Sequence, residues 1–112
     1  MGYEGVWHIM EMDVWDNEYM NMEVQAYIEI NNDGTGEFQF GLVKAYMNYK
    51  LRNREDKNVM EFRFSGSDEL DSISGIGWLK LIKDGLMEGE FSFGLGDDSG
   101  FIARRTEELK EL

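Results

Sequence analysis

The chain has 112 residues, 42% of them hydrophobic and 13% aromatic, with 23 acidic against 11 basic residues for a net charge of −12. This composition excludes a disordered chain, and the acidic field disfavours nucleic acid and anionic membranes as partners. The sequence contains no cysteine, which excludes disulfide scaffolds, thiolate zinc sites and cysteine nucleophiles.

The length predicts a single domain that spans residues 1–112. The first residues lack the basic and apolar regions of a signal peptide. No run approaches the roughly 18 apolar residues that a membrane helix requires. Because the chain also has no cysteine to oxidise, we expect a cytoplasmic protein.

The first predicted strand covers residues 5–15, a β-prone run that ends at Trp15. An acidic connection follows at residues 16–21. The second strand is predicted at residues 24–30, where apolar and polar residues alternate, so one face is expected to be buried. Residues 31–34 read Asn-Asn-Asp-Gly, which is a strong hairpin signal.

Six further strands follow, each with a period-two pattern. They are predicted at residues 36–40, 43–52, 59–64, 76–82, 87–93 and 101–105. The connections are rich in Gly, Asn or Asp, and they lie at residues 41–42, 53–58, 65–72, 83–85 and 94–100. Residues 105–112 are expected to form either a short helix or a disordered tail.

Eight short strands at regular intervals predict an all-β fold, a single eight-stranded antiparallel up-and-down barrel. An open sandwich is the alternative. We favour closure because eight strands can enclose a filled interior or one small ligand, and because a closed sheet has no edge strands.

One segment of the sequence recurs. Gly36-Glu37-Phe38-Gln39-Phe40-Gly41-Leu42 returns as Gly89-Glu90-Phe91-Ser92-Phe93-Gly94-Leu95, and both copies follow an Asp-Gly turn. The repeat indicates either two related four-strand halves or two hairpins that reached the same solution independently. Either origin supports a turn at residues 41–42.

In a meander, alternate connections lie at the same end of the barrel. If residues 41–42 form a turn, the connections after strands one, three, five and seven share one end. We call the carboxylates of these connections the acidic rim: Asp16, Glu18, Asp68, Glu69, Asp71, Asp97 and Asp98. Both ends of the chain and the basic hairpin at residues 52–57 are expected at the opposite end.

The run Gly5-Val6-Trp7 resembles the start of the calycins, the superfamily of lipocalins and fatty-acid-binding proteins. The resemblance implies that a basic residue of the last strand packs across Trp7. Arg104 and Arg105 are the candidates, and Arg105 is preferred because it shares strand parity with Phe101. A guanidinium over an indole contributes about 0.5–2 kcal/mol.

The chain is also similar to small lipocalin-like bacterial proteins of unassigned function, a resemblance that implies a fold and no activity. The segments that carry it are Gly5-Val6-Trp7, Trp15-Asp16, Phe38-Gln39-Phe40-Gly41, Gly66-Ser67-Asp68-Glu69-Leu70-Asp71 and Gly96-Asp97-Asp98-Ser99.

No catalytic, metal-binding or cofactor-binding residue is assigned. His8 is the single histidine, and no motif ties a nucleophile to it. The acidic loops offer oxygen ligands for calcium or magnesium but match no EF-hand spacing. A pair such as Asp16 and Asp68 would suit acid–base work if one pKa were raised by the other carboxylate.

The leading functional prediction is a barrel that binds a small apolar molecule, neutral or cationic. Asp68, Asp71 and Asp97 are expected to select its polar groups, and an inward aromatic set to line the pocket. That set comprises Phe38, Phe40, Phe62, Phe64, Phe91, Phe93, Tyr49 and Trp78. The first alternative is a filled barrel that meets a basic protein partner at the acidic rim, and the second is a barrel enzyme that uses loop carboxylates. The oligomeric state is left open.

Overall fold

The computed structural model describes residues 3–54, 57–94 and 96–106. Within these ranges the chain forms eight strands and one short helix, α1. In chain order the elements are β1 Gly5–Met12, α1 Asn17–Met20, β2 Tyr27–Ile30, β3 Thr35–Phe40, β4 Val43–Arg54, β5 Lys57–Asp68, β6 Asp71–Lys83, β7 Leu86–Phe93 and β8 Asp98–Arg105. No helix among the described residues is long and apolar enough to span a bilayer.

Every strand pairs antiparallel with the next one, and β8 returns to pair with β1, so the sheet is a closed barrel. The eight-stranded up-and-down fold expected from the sequence is therefore confirmed. The turn at residues 41–42 is confirmed as well, because β3 ends at Phe40 and β4 begins at Val43. The acidic rim consequently lies at one end of the barrel.

Alternation along the strands separates a buried inner face from an exposed outer face. In β3, for example, Phe38 and Phe40 are fully buried, whereas Glu37 and Gln39, which alternate with them, are half-buried on the outer face. The inward residues of all eight strands form one continuous core.

Small residues on the inner face make room for the aromatic ones. Phe62 lies directly opposite Gly77, and Phe64 lies opposite Gly75. A Cβ atom placed on Gly77 would lie 2.4 Å from the Phe62 ring and 2.5 Å from the Glu90 carbonyl oxygen. Glycine at this position thus lets a phenylalanine ring lie against the neighbouring backbone.

Residues 36–40 and 89–93 of the two repeated segments lie in β3 and β7, four strands apart and so on opposite sides of an eight-stranded barrel. Their rings meet across the interior: the Phe38 and Phe91 centroids are 4.4 Å apart, and those of Phe40 and Phe93 are 6.4 Å apart. The repeat therefore supplies two facing parts of one core.

Two predicted strand boundaries at the start of the chain are wrong. β1 ends at Met12 rather than at Trp15, and β2 begins at Tyr27 rather than at residue 24. The acidic connection contains α1, whose first turn is capped by the Asp16 carboxylate accepting from the Tyr19 N–H at 2.9 Å. Val24, expected on the inner face, is 43% exposed.

The predicted loop at residues 65–72 is also wrong. β5 runs to Asp68 and β6 starts at Asp71, so only Glu69 and Leu70 form the turn. Its Ser, Gly and Asp residues suggest a loop, but the ladder continues through them, with Ser67 paired to Ser72. Glu69 adopts the left-handed conformation that this tight turn requires, with φ of 61°.

The remaining connections differ from the predicted ones by only a few residues. β4 extends to Arg54 and β5 begins at Lys57, so the hairpin predicted at residues 53–58 is shorter, and residues 55–56 lie outside the described residues. β8 begins at Asp98, within the loop predicted at residues 94–100. Residues 107–112 of the predicted tail lie outside the described residues.

Candidate functional site

The interior of the barrel is occupied by its own aromatic rings. The Phe91 ring lies 4.4 Å from Phe38 and 4.6 Å from Phe101, and Phe64 lies 5.1 Å from Phe38, measured between centroids. These separations are those of rings in direct contact. The phenylalanines expected to line a pocket therefore contact one another.

The other members of the predicted aromatic set lie elsewhere. Phe93 and Tyr49 are half-buried and pack against the core from opposite ends of the barrel. The Tyr49 hydroxyl donates to the Asn31 carbonyl oxygen. Trp78 was expected inside, but this is wrong: the buried inward residue is its neighbour Leu79, so Trp78 projects from the outer face beside Glu61 and Glu90.

Trp7 and Arg105 close the end of the barrel opposite the acidic rim. The Arg105 guanidinium carbon lies 4.4 Å from the centroid of the fully buried Trp7 ring, and its Nη1 donates to the Glu4 carbonyl at 2.6 Å. The Trp7 indole N–H donates to the Tyr3 carbonyl at 2.9 Å. Gly5 has φ of 124°, and a Cβ there would lie 2.7 Å from Arg105 Nη1, so this position requires glycine.

Trp15 closes the other end. After β1 the chain crosses the opening, and the Trp15 ring comes within 5.0 Å of Phe40, 6.0 Å of Phe93 and 6.4 Å of Tyr19 between centroids. Trp15 is half-buried in this position. The acidic-rim end of the barrel, where a ligand selected by Asp68, Asp71 and Asp97 would enter, is thus covered by an indole ring.

The helix α1 is fixed to the β3–β4 turn beneath it. The Gly41 N–H donates to the Met20 carbonyl at 2.7 Å, and Met20 is fully buried. Gly41 has φ of 56°, and a Cβ on it would lie 2.1 Å from the Tyr19 ring. A side chain at position 41 would therefore displace the ring that helps to cover the barrel.

The three carboxylates expected to select a ligand lie at the acidic rim without converging on one point. Asp68 and Asp71 face each other at the base of the Glu69-Leu70 turn. Asp97 belongs to the β7–β8 connection, where its carbonyl accepts from the Phe93 N–H at 3.2 Å. Among the described residues, no three His, Cys, Asp or Glu side chains lie close enough together to hold a metal ion.

Exposed apolar side chains accompany the carboxylates at this end, a feature that the sequence analysis missed. Leu70, at the tip of the β5–β6 turn, is 97% exposed, and Met22, just after α1, is 54% exposed. Val14 and Val24, in the same connection as Met22, are 44% and 43% exposed. The sequence position of Leu70 between Glu69 and Asp71 could have indicated this exposed apolar surface, because an apolar residue at the tip of a turn is not buried by its own hairpin.

His8 and Tyr27 lie on the outer face. His8 pairs with Arg104 on one side and Tyr27 on the other, so it does not reach the interior. The Tyr27 hydroxyl donates to the Glu37 carboxylate at 2.6 Å. Burial, followed by this hydrogen bond and the negative charge of Glu37, raises the pKa of Tyr27 well above its usual range.

Two neighbouring grooves lie on the outer face. The first, of about 510 Å³, runs over β4 to β7 and contains Trp78, Ile76, Arg63 and Glu90 in its lining. The second, of about 320 Å³, lies over β7, β8 and the end of β1. We call them the β4–β7 groove and the β8 groove.

Comparison with protein-family models, with curated proteins and with solved structures yields no match for this chain.

Proposed function

We propose that this chain is a filled-barrel interaction module that binds a basic protein partner at the acidic rim. The observation that carries the proposal is the packing of the interior. Aromatic rings meet across the barrel, Trp15 covers one end, and Trp7 with Arg105 closes the other. A small-molecule site requires an open cavity, so the outer surface is the better candidate for binding.

The chemistry of the acidic rim selects the class of partner. Seven carboxylates surround this end, and the basic residue nearest to them in the strands is Lys44, the second residue of β4. Such a field attracts a basic partner and accelerates its association. Leu70 and Met22 add apolar surface, which a partner would remove from water at about 25 cal/mol per Å².

The proposal includes a calycin-like architecture and the cytoplasmic location expected from the sequence. Support for the architecture comes from the meander that closes between β1 and β8, and from Arg105 over Trp7. His8, the single histidine, lies on the outer face, so it adds no support to the alternative of a barrel enzyme that uses loop carboxylates.

The test is isothermal titration with a synthetic peptide of alternating lysine and leucine, a probe that combines basic charge with apolar surface. We expect saturable binding that weakens as NaCl rises from about 0.05 to 0.3 M, since screening shortens the reach of the carboxylates. Leu70→Ser and Asp71→Asn are each expected to weaken it.

Two matched variants provide the control. Ile82→Ser changes an apolar side chain that is 46% exposed near the other end of β6, and Asp84→Asn removes one negative charge from the exposed β6–β7 turn. Both should bind the peptide as the wild type does. Equal weakening by the rim variants and these controls would show non-specific attraction to an acidic protein and would contradict the proposal.

A further inference from the structure

Trp78 and Glu90 are direct cross-strand neighbours on the outer face of β6 and β7. Both residues line the β4–β7 groove and also the β8 groove. They form the wall that the two grooves share. An extended chain laid in either groove would therefore contact this pair.

The β8 groove is acidic. Four carboxylates line it, from Glu11, Asp13, Glu88 and Glu90, and its described lining contains no basic side chain. Two of them already have partners: Glu88 pairs with Lys80 at 3.6 Å, and Asp13 accepts from the Gly100 N–H at 3.1 Å. The charge of this groove is complementary to a cation.

Glu88 and Asp13 thus have partners among the described residues, whereas the polar groups of Glu90 and Trp78 do not. No hydrogen bond or ion pair joins the half-buried Glu90 carboxylate to another described residue, and none involves the Trp78 indole N–H. The Glu90 carboxylate, an acceptor, and the Trp78 indole N–H, a donor, thus lie on neighbouring half-buried residues of the outer face. Polar groups so placed gain most when a ligand pairs with them.

We propose that Trp78 and Glu90 bind an arginine side chain from an extended segment of the basic partner. The guanidinium would lie against the indole, a cation–π contact, and donate to the Glu90 carboxylate, a charge-assisted hydrogen bond. The indole N–H would donate to a backbone carbonyl of the same segment. A peptide offers both the cation and the carbonyl, whereas a free amine offers the cation alone.

The two grooves give such a segment a direction. Asp13 lies at the end of the β8 groove next to the acidic rim, where its N–H donates to the Gly100 carbonyl. In the β4–β7 groove, by contrast, Arg63 and Lys50 offset the carboxylates of Glu61 and Glu90, so its lining carries no net charge that would attract a second cation. The basic segment is therefore expected to run from the acidic rim along the β8 groove to Trp78.

This inference rests on the proposed function, because the arginine belongs to the partner that meets the acidic rim. Its test uses two short probes in parallel, acetyl-Ala-Arg-Ala-amide and the same peptide with citrulline, which keeps the shape of arginine but carries no charge. Nuclear magnetic resonance resolves the indole N–H signal of each tryptophan, and Trp78→Phe assigns the signal of Trp78. We expect the arginine peptide to shift this signal saturably and the citrulline peptide to leave it unchanged.

Glu90→Gln should weaken the arginine peptide about tenfold, the change expected for loss of one charge-assisted hydrogen bond. Asp84→Asn removes one negative charge at a distance and should leave the affinity unchanged. The inference is overturned if both peptides shift Trp78 equally, if neither does, or if Glu90→Gln and Asp84→Asn behave alike. Binding of the lysine–leucine peptide that depends on Leu70 while Trp78 stays silent would overturn this inference and leave the proposed function standing.

Discussion

Glycine on the inner face sets how closely the strands can approach around the phenylalanine rings. We expect Gly77→Ala to destabilise the protein by about 1–3 kcal/mol, the usual cost of overpacking a core. The added methyl would meet both the Phe62 ring and the backbone carbonyl of Glu90, and the latter cannot turn aside. Urea denaturation measures the change.

Gly94→Ala is the matched control for this variant. A Cβ on Gly94 would come no nearer than 3.7 Å to its closest neighbour, the Ser74 carbonyl oxygen. This is ordinary van der Waals contact, so the free energy of unfolding should change little. If both alanine variants unfold at the same urea concentration, the steric account of Gly77 is wrong.

The raised pKa of Tyr27 makes the stability of the fold depend on pH in the alkaline range. The pKa of its phenol is raised in the folded state by burial and by Glu37, so the folded protein holds this proton more tightly than the unfolded chain. The resulting stabilisation is fully present below the ordinary tyrosine pKa of about 10. It is lost as the pH rises from there toward the folded-state pKa.

We therefore expect the free energy of unfolding to fall above about pH 10, and Tyr27→Phe to remove part of that fall. Tyr46→Phe serves as the control, since Tyr46 is 58% exposed and is the smallest of the causes that raise the pKa of Tyr27. Denaturation curves across the alkaline range check the outcome. An alkaline loss in Tyr27→Phe as steep as that of the wild type would refute the assignment.

At the scale of the elements, the segment from Trp15 to Met20 acts as a cover fixed to the β3–β4 turn. Trp15→Ala should cost about 2 kcal/mol, less than the roughly 3–5 kcal/mol of a fully buried aromatic residue, because Trp15 is half-buried. Thermal and urea unfolding measure the loss. Val14→Ala, at a neighbouring 44% exposed residue, should stay close to the wild type.

The number and order of the strands could be predicted from the sequence because period-two patterns and Asp-Gly turns are local signals. The limits of β5 and β6 could not. Residues 65–72 have the composition of a loop, yet their backbone groups pair in the ladder between two long strands. Pairing of this kind depends on what lies opposite, which the local pattern does not contain.

Trp15 and Trp78 illustrate the same limit for the candidate site. Trp15 follows a strand whose pairing with β8 continues only to Met12, where the chain turns across the opening. Trp78 occupies an outward position because parity in β6 is fixed by Leu79 and by the glycines opposite Phe62 and Phe64. A large aromatic residue is expected inside on hydrophobicity alone, so sequence reasoning placed it with the core.

For the molecule as a whole, filled packing predicts that the interior takes up no apolar probe. The fluorescent dye 1-anilinonaphthalene-8-sulfonate should show little enhancement with the folded protein, since the Phe38, Phe64 and Phe91 rings already occupy the space. The dye is an anion, so a neutral probe such as N-phenyl-1-naphthylamine should be tested beside it. Saturable uptake of the neutral probe, with one molecule per barrel, would contradict the filled interior and revive the small-molecule proposal.

The pairing of the first strand with the last also governs when the molecule can finish folding. Trp7 is paired with Arg105, almost the whole length of the chain away, and contacts so distant in sequence slow the approach to the native state. During synthesis, β1 to β7 can pair with one another in chain order, while β1 and β7 each retain one unpaired edge. Arg105 must leave the ribosome before β8 can pair with β1. Until then the unpaired strand edges at this seam can associate with other chains, so the seam is the part of the barrel that stays prone to aggregation longest.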